Sequence, residues 1–494
     1  MAWLRPSVMV TVMVTVVVVV TALVGAVPVA LLAVATAWLL SNRSDIEPRV
    51  RPAVLQLAAP TLPDERNAFF ALTGLSAEAG RDPAAVGRAL WQVNLARAAM
   101  PQRERLETKG YEELNRQDDA ATGKRLPTVS GAPLYCKDAA AGCVAEWLAD
   151  PVALAAQRAQ MAVLGERCEA LMAPGMGFEE RLTTPFHYAV NIAPHLSGAV
   201  QCSRWWRSGA VLAWQQGRPQ QSLALLQRAT QLDAALLAGS QSLVGNMVAV
   251  TFTRETQATL AALAMREPAL APQLALLLAP MPDSVMINGM RRAVATEAAM
   301  NRAVMAELGE CLDPTAHTTA LKFGWVESRL QAINHWQCRH RVGFHPQRMQ
   351  LLFEDFWVGT ADALDKGLPA AITHLQTQGK LAQQRGWQWR NTIGYILFDL
   401  AAPAYASYFR QAADLLLHTE AAALALAAAA QRVPAAERAA WAQRQPLSAD
   451  LRERLQWDAS GQGFTVRTWY QDGQNTPVEP RKAIRFAWPT PPQG

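Results

Sequence analysis

The most conspicuous absence is charge: residues 7–42 contain no Asp, Glu, Lys or Arg, in a chain of 494 residues that is 18% charged. Such a gap excludes a solvated loop or a surface helix over that stretch. Catalytic signatures are also missing. There is no HExxH, GxSxG, GxxxxGK[ST] or GxGxxG, which removes the familiar zinc-protease, nucleophile-elbow, phosphate-loop and dinucleotide fingerprints. No Lys/Arg-rich block and no RNA-binding aromatic motif occurs, and the net charge of +5 is spread along the chain, so nucleic acid is not an expected partner. Strand-like alternation is almost absent between residues 145 and 440, which excludes a β or α/β body there. Nothing implies a cofactor.

What fills the uncharged stretch is the run VMVTVMVTVVVVVTALVGAVPVALLAVATAWLL, residues 8–40. About 20 apolar residues cross a bilayer as helix, so the run spans with tilt or overhang. Pro28 kinks it or marks a change of direction, and Trp38 suits the interface. A cleaved signal peptide is the competing reading, because Ala33-Val34-Ala35 and Ala35-Thr36-Ala37 resemble cleavage sites. Signal cores usually span about 7 to 15 residues, and this run is far longer. A re-entrant hairpin turning at Gly25 to Pro28 is a third option.

Two signals disagree on orientation. Arg5 precedes the run, whereas Arg43, Arg49 and Arg51 follow it, which by count places the C-terminal side in the cytoplasm. The six cysteines argue otherwise. They fall into neighbouring pairs, Cys136 with Cys143, Cys168 with Cys202 and Cys311 with Cys338, and disulfides persist in oxidising compartments. Spacing alone does not decide the pairing, and six buried thiols are the alternative. The cysteines carry more weight than two arginines, so the expectation is a single-pass inner-membrane protein with a large periplasmic C-terminal domain.

The chain then divides into an anchor (1–45), a tether with short helices and a polar loop (46–135), an α-helical domain (136–445) and a tail (446–494). Pro63-Asp64-Glu65 opens a short helix through Phe69, Phe70 and Leu72, and Asp82-Pro83 caps another through Leu90, Trp91 and Leu95. Residues 102–133 are polar, bear glycine and lack periodicity, and read as an exposed loop. Phe464, Val466, Thr468 and Tyr470 alternate with polar residues; so do Ile484, Phe486 and Trp488, across the turn chemistry of Asp472-Gly473 and Asn475. That pattern predicts a small C-terminal β-hairpin. The fold class is mostly α: an N-terminal transmembrane helix, a domain of repeat-like helical hairpins, and the β-hairpin.

One piece, WQQGRPQQSLALLQRATQLDA at residues 214–234, resembles the middle of a tetratricopeptide repeat. Gly217 stands at its turn, Leu223 and Leu226 on the inner face, and Ala229 at the small packing position. Pro219 and Ser222 depart from the pattern, and no second copy follows at the usual period. The whole chain resembles, loosely, a family of uncharacterised membrane-anchored helical proteins of proteobacteria. The resemblance rests on RNAFFALTGLSAEAGRDPAAVG, SLVGNMVA, FHPQRMQLLFEDFW and NTIGYILFDLAAPAYASYF. It departs at Pro346-Gln347-Arg348-Met349, where an asparagine-containing segment is expected. The family implies the address and the helical fold, and no activity.

Candidate sites are few. Ile287, Met290, Val294, Glu297, Asn301, Val304 and Leu308 recur at alternating steps of three and four, so they share one helical stripe. Glu297 and Asn301 interrupt its apolar face. A carboxylate there has a raised pKa unless paired, which is how general acids are made; a structural pair is the plainer reading. His335, His340 and His345 crowd around Cys338, a zinc-like set of residue types, but steps of five do not align on one helical face. Trp325-Val326-Glu327-Ser328 resembles the Glu-Ser pair of lytic transglycosylases without their groove segment, which leaves Glu327 as a second candidate acid. Trp205-Trp206, with Trp214, are candidate binding residues, core packing being the alternative. The leading expectation is a scaffold or docking module for cell-envelope proteins, attached to the membrane by residues 8–40. A cell-envelope enzyme acting on cell-wall glycan or peptide is the other.

Overall fold

The computed structural model describes residues 32–37, 52–100, 108–126, 136, 143–171, 175–182, 194–278, 281–309, 345–384, 392–469 and 484–488. Contacts divide the chain into two compact units, Met1–Arg49 with Met305–Leu352 and Ala382–Leu400, and Val50–Val304 with Phe353–Leu381 and Ala401–Gly494. In the first unit residues 32–37 are helical with exposed side chains, and His345, Met349 and Phe398 are buried. The rest of the 8–40 run, Cys311, Cys338, Glu327, His335 and His340 lie outside the described residues.

The second unit begins with α1 (Ala68–Thr73), α2 (Pro83–Ala99) and α3 (Thr108–Thr122). Asn67 caps α1 by accepting from Phe69 N at 3.0 Å. The same side chain holds the chain at Glu179, donating to its carbonyl at 2.7 Å and accepting from its N–H at 3.0 Å. Asp82 caps α2 through Ala84 N and Ala85 N, with Pro83 in the first turn, as the sequence predicts. Helix α3 replaces the expected loop over residues 108–122; the rest of 102–133 is described only at 123–126. Among its described side chains Leu114 and Thr122 are buried, too few to show a period. What holds it is a cluster in which Arg97 of α2 bonds Asn94, Asn115 and Asp118.

Next come α4 (Val144–Ala149), α5 (Pro151–Gln160), α6 (Ala162–Leu171), α7 (Pro194–Gln215), α8 (Pro219–Gly239) and α9 (Leu243–Arg266). Disulfides join Cys136 to Cys143 and Cys168 to Cys202, two of the three expected pairs. The second ties α6 to α7 inside the core. Helices α7 and α8 form the expected hairpin, with Gly217 in the left-handed region at φ 72°. Pro219, the departure from the repeat pattern, sits in the first turn of α8, where a missing N–H costs nothing. Leu226, Ala229 and Leu232 are fully buried, and Leu223 half-buried.

The remaining helices are α10 (Ala271–Leu277), α11 (Asp283–Gly309), α12 (Pro346–Leu364), α13 (Leu368–Gln384), α14 (Thr392–Ala430), α15 (Arg438–Gln443) and α16 (Ala449–Arg454). Among the described residues one helical stretch, Ala404–Ala430 in α14, is long and apolar enough to cross a bilayer, and 78% of its most apolar window is buried. The C-terminal hairpin is corrected to a three-stranded antiparallel sheet, β1 (Leu455–Trp457), β2 (Gly463–Val466) and β3 (Ile484–Ala487), in that order. Phe464 faces Phe486 and Val466 faces Ile484, all buried; Thr468 lies beyond the strand. The added strand follows directly on α16 and shows no alternation long enough to read, since it has three residues.

Helix α1 is squeezed between α2 and α7 at two glycines. A Cβ on Gly87 would run into the Phe70 carbonyl oxygen, and one on Gly198 into that of Leu72. Both obstacles are backbone, so neither helix can yield without moving whole. Gly198→Ala is expected to cost about 2–3 kcal/mol, read as a lower urea midpoint with unchanged slope. Replacing Cys168 and Cys202 together by Ala is expected to cost about 2–4 kcal/mol. The corresponding change at Cys136 and Cys143 should cost less, because its loop spans 7 residues against 34.

Candidate functional site

Two places in the second unit carry the chemistry. The first is a buried polar seam at the N-terminus of α9, where Leu243, Gly245 and Asn246 are buried and Val244 is exposed. Glu180, on the segment before α7, accepts from Gln241 N, Ser242 N and Ser242 Oγ, each at 2.7 Å. His195 Nε2 lies 3.2 Å from the same carboxylate. Burial pushes the Glu180 carboxyl up, but His195 and Ser242 outweigh it and hold the group below its ordinary value. Ser242 Oγ in turn accepts from Gly245 N at 2.9 Å. Residue 245 must be small, since a Cβ there would meet Glu180 Oε2 at 2.8 Å. This explains the SLVGN stretch physically: serine as cap, glycine for the carboxylate's approach, and Asn246 donating to the Ser242 carbonyl at 2.9 Å.

Glu297 of α11 faces the same helix end. Burial pushes its carboxyl up to about 7, the Leu243 N–H lowers it, and the neighbouring Glu180 charge adds to the rise. Asn301 lies one turn on and hydrogen-bonds Tyr405 of α14, whose hydroxyl is raised above its ordinary value by burial and by Glu297. The predicted stripe is therefore real, and its two polar members meet a tyrosine from a distant helix. Trp357 closes over Tyr405 edge-on at 4.6 Å. Arg292, a turn before Glu297, donates to the Ser240 and Leu237 carbonyls, both at 3.1 Å, and so closes the C-terminus of α8.

The second place is a cavity of about 970 Å³. Its floor is α14, through Ala413, Leu416, Leu417, Glu420 and Ala423, beside Ile287 of α11. The α12–α13 turn forms one wall with Lys366, Leu368 and Pro369; α16 and Trp469 form another. Among the described residues four carboxylates line it, Asp283, Glu420, Asp450 and Glu453, against the single cation Lys366. Asp450 pairs with Arg454 at 2.9 Å and Glu453 with Arg467 at 3.3 Å. Glu420 instead accepts from the Ser448 backbone and hydroxyl. No element predicted this cavity, because its walls come from four separated stretches of chain.

The tryptophan candidates lie elsewhere. Trp206 is fully buried. Trp205 is half-buried beneath Arg158, whose guanidinium stacks 3.7 Å from its ring. Trp214 is half-buried near the α7–α8 turn. None of the three lines the cavity, and neither do Glu297 or Asn301. His345 is buried, and among the described residues no group of His, Cys, Asp or Glu side chains is placed to hold a metal.

Glu297 makes stability pH-dependent. Its folded pKa of about 7 exceeds the unfolded value near 4.3. The folded state therefore keeps a proton that the unfolded state releases, and stability falls as pH rises between those values. Glu297→Gln, which keeps an acceptor for the Leu243 N–H, removes that fall. The variant should gain on the parent by about 3 kcal/mol between pH 4.5 and 8, measured by urea denaturation across that range. Comparison with protein-family models, curated proteins and solved structures returns no match to this chain.

Proposed function

We propose that this protein is a membrane-anchored helical docking module of the cell envelope. Residues 8–40 hold it in the inner membrane, and its large C-terminal domain lies in the periplasm. The observation that carries the reading is the 970 Å³ cleft, lined along α14 by Ala413, Leu416, Leu417 and Ala423 and bearing the charged side chains Asp283, Lys366, Glu420, Asp450 and Glu453, in the manner of sites that accept a partner's helix. The two disulfides support an oxidising compartment.

An envelope enzyme acting on cell-wall glycan or peptide is the second reading, favoured by one observation, the raised carboxyl of Glu297. Against it, that carboxyl already faces a buried helix N–H, a structural use that explains its place.

Photo-crosslinking in living cells separates them. A photoreactive phenylalanine at Ala423, an exposed cleft position, is expected to capture discrete envelope proteins. The same probe at Val152, exposed and not among the lining residues, should not. Glu297→Gln should leave both the adducts and cellular function intact. Absence of cleft-specific adducts overturns the docking reading. Loss of function in a folded Glu297→Gln protein establishes the enzyme.

A further inference from the structure

We propose that the cleft takes a cationic amphipathic helix of a partner protein; this rests on the docking reading and names the chemistry of its occupant. The floor is itself one helical stripe, since Ala413, Leu416, Leu417, Glu420 and Ala423 follow steps of three and four along α14. From residue 413 to 423 that stripe runs roughly 15 Å, enough to seat about three turns of a second helix lying along it. A helix needs apolar anchors at matching steps. The cleft presents them: Leu416 and Ile287 are half-buried, and Ala423 and Pro369 are exposed.

Charge decides which helix. The protein carries +5 overall, yet the cleft gathers four carboxylates against one lysine. Two of those carboxylates are already answered by arginines of the same chain. Asp283 and Glu420 are not matched by a cation among the described residues, and both line the cleft, Asp283 exposed at the start of α11 and Glu420 half-buried on the α14 stripe. Glu420 is held in place by Ser448 at the start of α16, so its negative charge is fixed in direction. An anionic helix would place like charges against these carboxylates, a mismatch that rejects partners more strongly than a matched pair attracts them. Lysines or arginines flanking a leucine stripe complement it.

The test uses the full-length protein in zwitterionic nanodiscs, with empty nanodiscs as the blank. The probes are two fluorescent peptides of equal length, one of Leu and Lys at helical spacing and one of Leu and Glu. The Leu/Lys peptide is expected to bind with salt-sensitive affinity, and the Leu/Glu peptide to bind at least tenfold more weakly. Glu420→Gln combined with Asp283→Asn should weaken the Leu/Lys peptide roughly tenfold. Ala423→Trp, which fills an exposed cleft position, should block it; unchanged circular dichroism certifies both variants as folded. Equal binding of the two peptides, or Leu/Lys binding indifferent to both variants, overturns the proposal. If cleft-specific adducts at Ala423 persist in cells in that case, docking stands and only the cationic helix is lost. If binding and adducts both fail, docking falls with it.

Discussion

The structure depends on satisfying the buried N-terminus of α9. That helix runs from Leu243 to Arg266, and nearly every side chain in it is buried. Its leading N–H groups therefore need protein partners, since an unmet buried donor costs about 1–3 kcal/mol. Glu180 meets Gln241 and Ser242, the Ser242 hydroxyl meets Gly245, and Glu297 faces Leu243. The positive end of the helix dipole favours both carboxylates. Because each acceptor comes from a different element, capping one helix also positions the segment before α7, the α8–α9 turn and α11. His195 and Ser242 hold the Glu180 carboxyl below its ordinary value; Glu297, with fewer partners, is pushed up to about 7 by burial.

Further along α9 the same constraint recurs as buried ion pairs and hydrogen bonds. Arg207 of α7 pairs with Glu255, His418 of α14 meets Gln257 at 2.8 Å, and Gln257 bonds Thr419 at 2.8 Å. Burial keeps His418 well below its ordinary value, so the contact with Gln257 joins neutral groups and no charge is stranded. Asp233, by contrast, is pushed up to about 7 by burial despite Thr256 and Arg207. Such groups add little net stability, but meeting them fixes the register of α7, α8, α9 and α14 against one another.

Local features were legible in the sequence because local residues determine them. Asp82-Pro83 marked a helix start, Gly217 a tight turn, and Phe464 with Val466 a strand face. The Glu297–Asn301 stripe was readable for the same reason, being a matter of spacing on one helix. Helix α3 was not, since its attachment runs through Arg97 of another helix rather than through an apolar face of its own. Tyr405, Glu180 and the cleft were hidden for one shared reason. Each acquires its role from residues on other elements, 61 and 62 positions away for Glu180 with Gln241 and Ser242, and spacing along one element carries no information about such contacts.

Helix α14 shows how far composition alone misleads. By length and apolarity Ala404–Ala430 passes for a membrane span. Yet Asp414 is buried within it and accepts from Trp469 N at 2.6 Å, and His418 packs 5.3 Å from Phe486 of the sheet. Lipid would offer neither group a partner, and isolated polar groups in hydrocarbon cost several kcal/mol. The helix is thus a core element on the side that meets α9 and the sheet. Its opposite side is where Leu416, Glu420 and Ala423 look into the cleft. A helix this apolar has no need of a carboxylate on its open side for its own fold. Glu420 there is explained by what it holds: it accepts from the Ser448 backbone and hydroxyl, and so ties the start of α16 to α14.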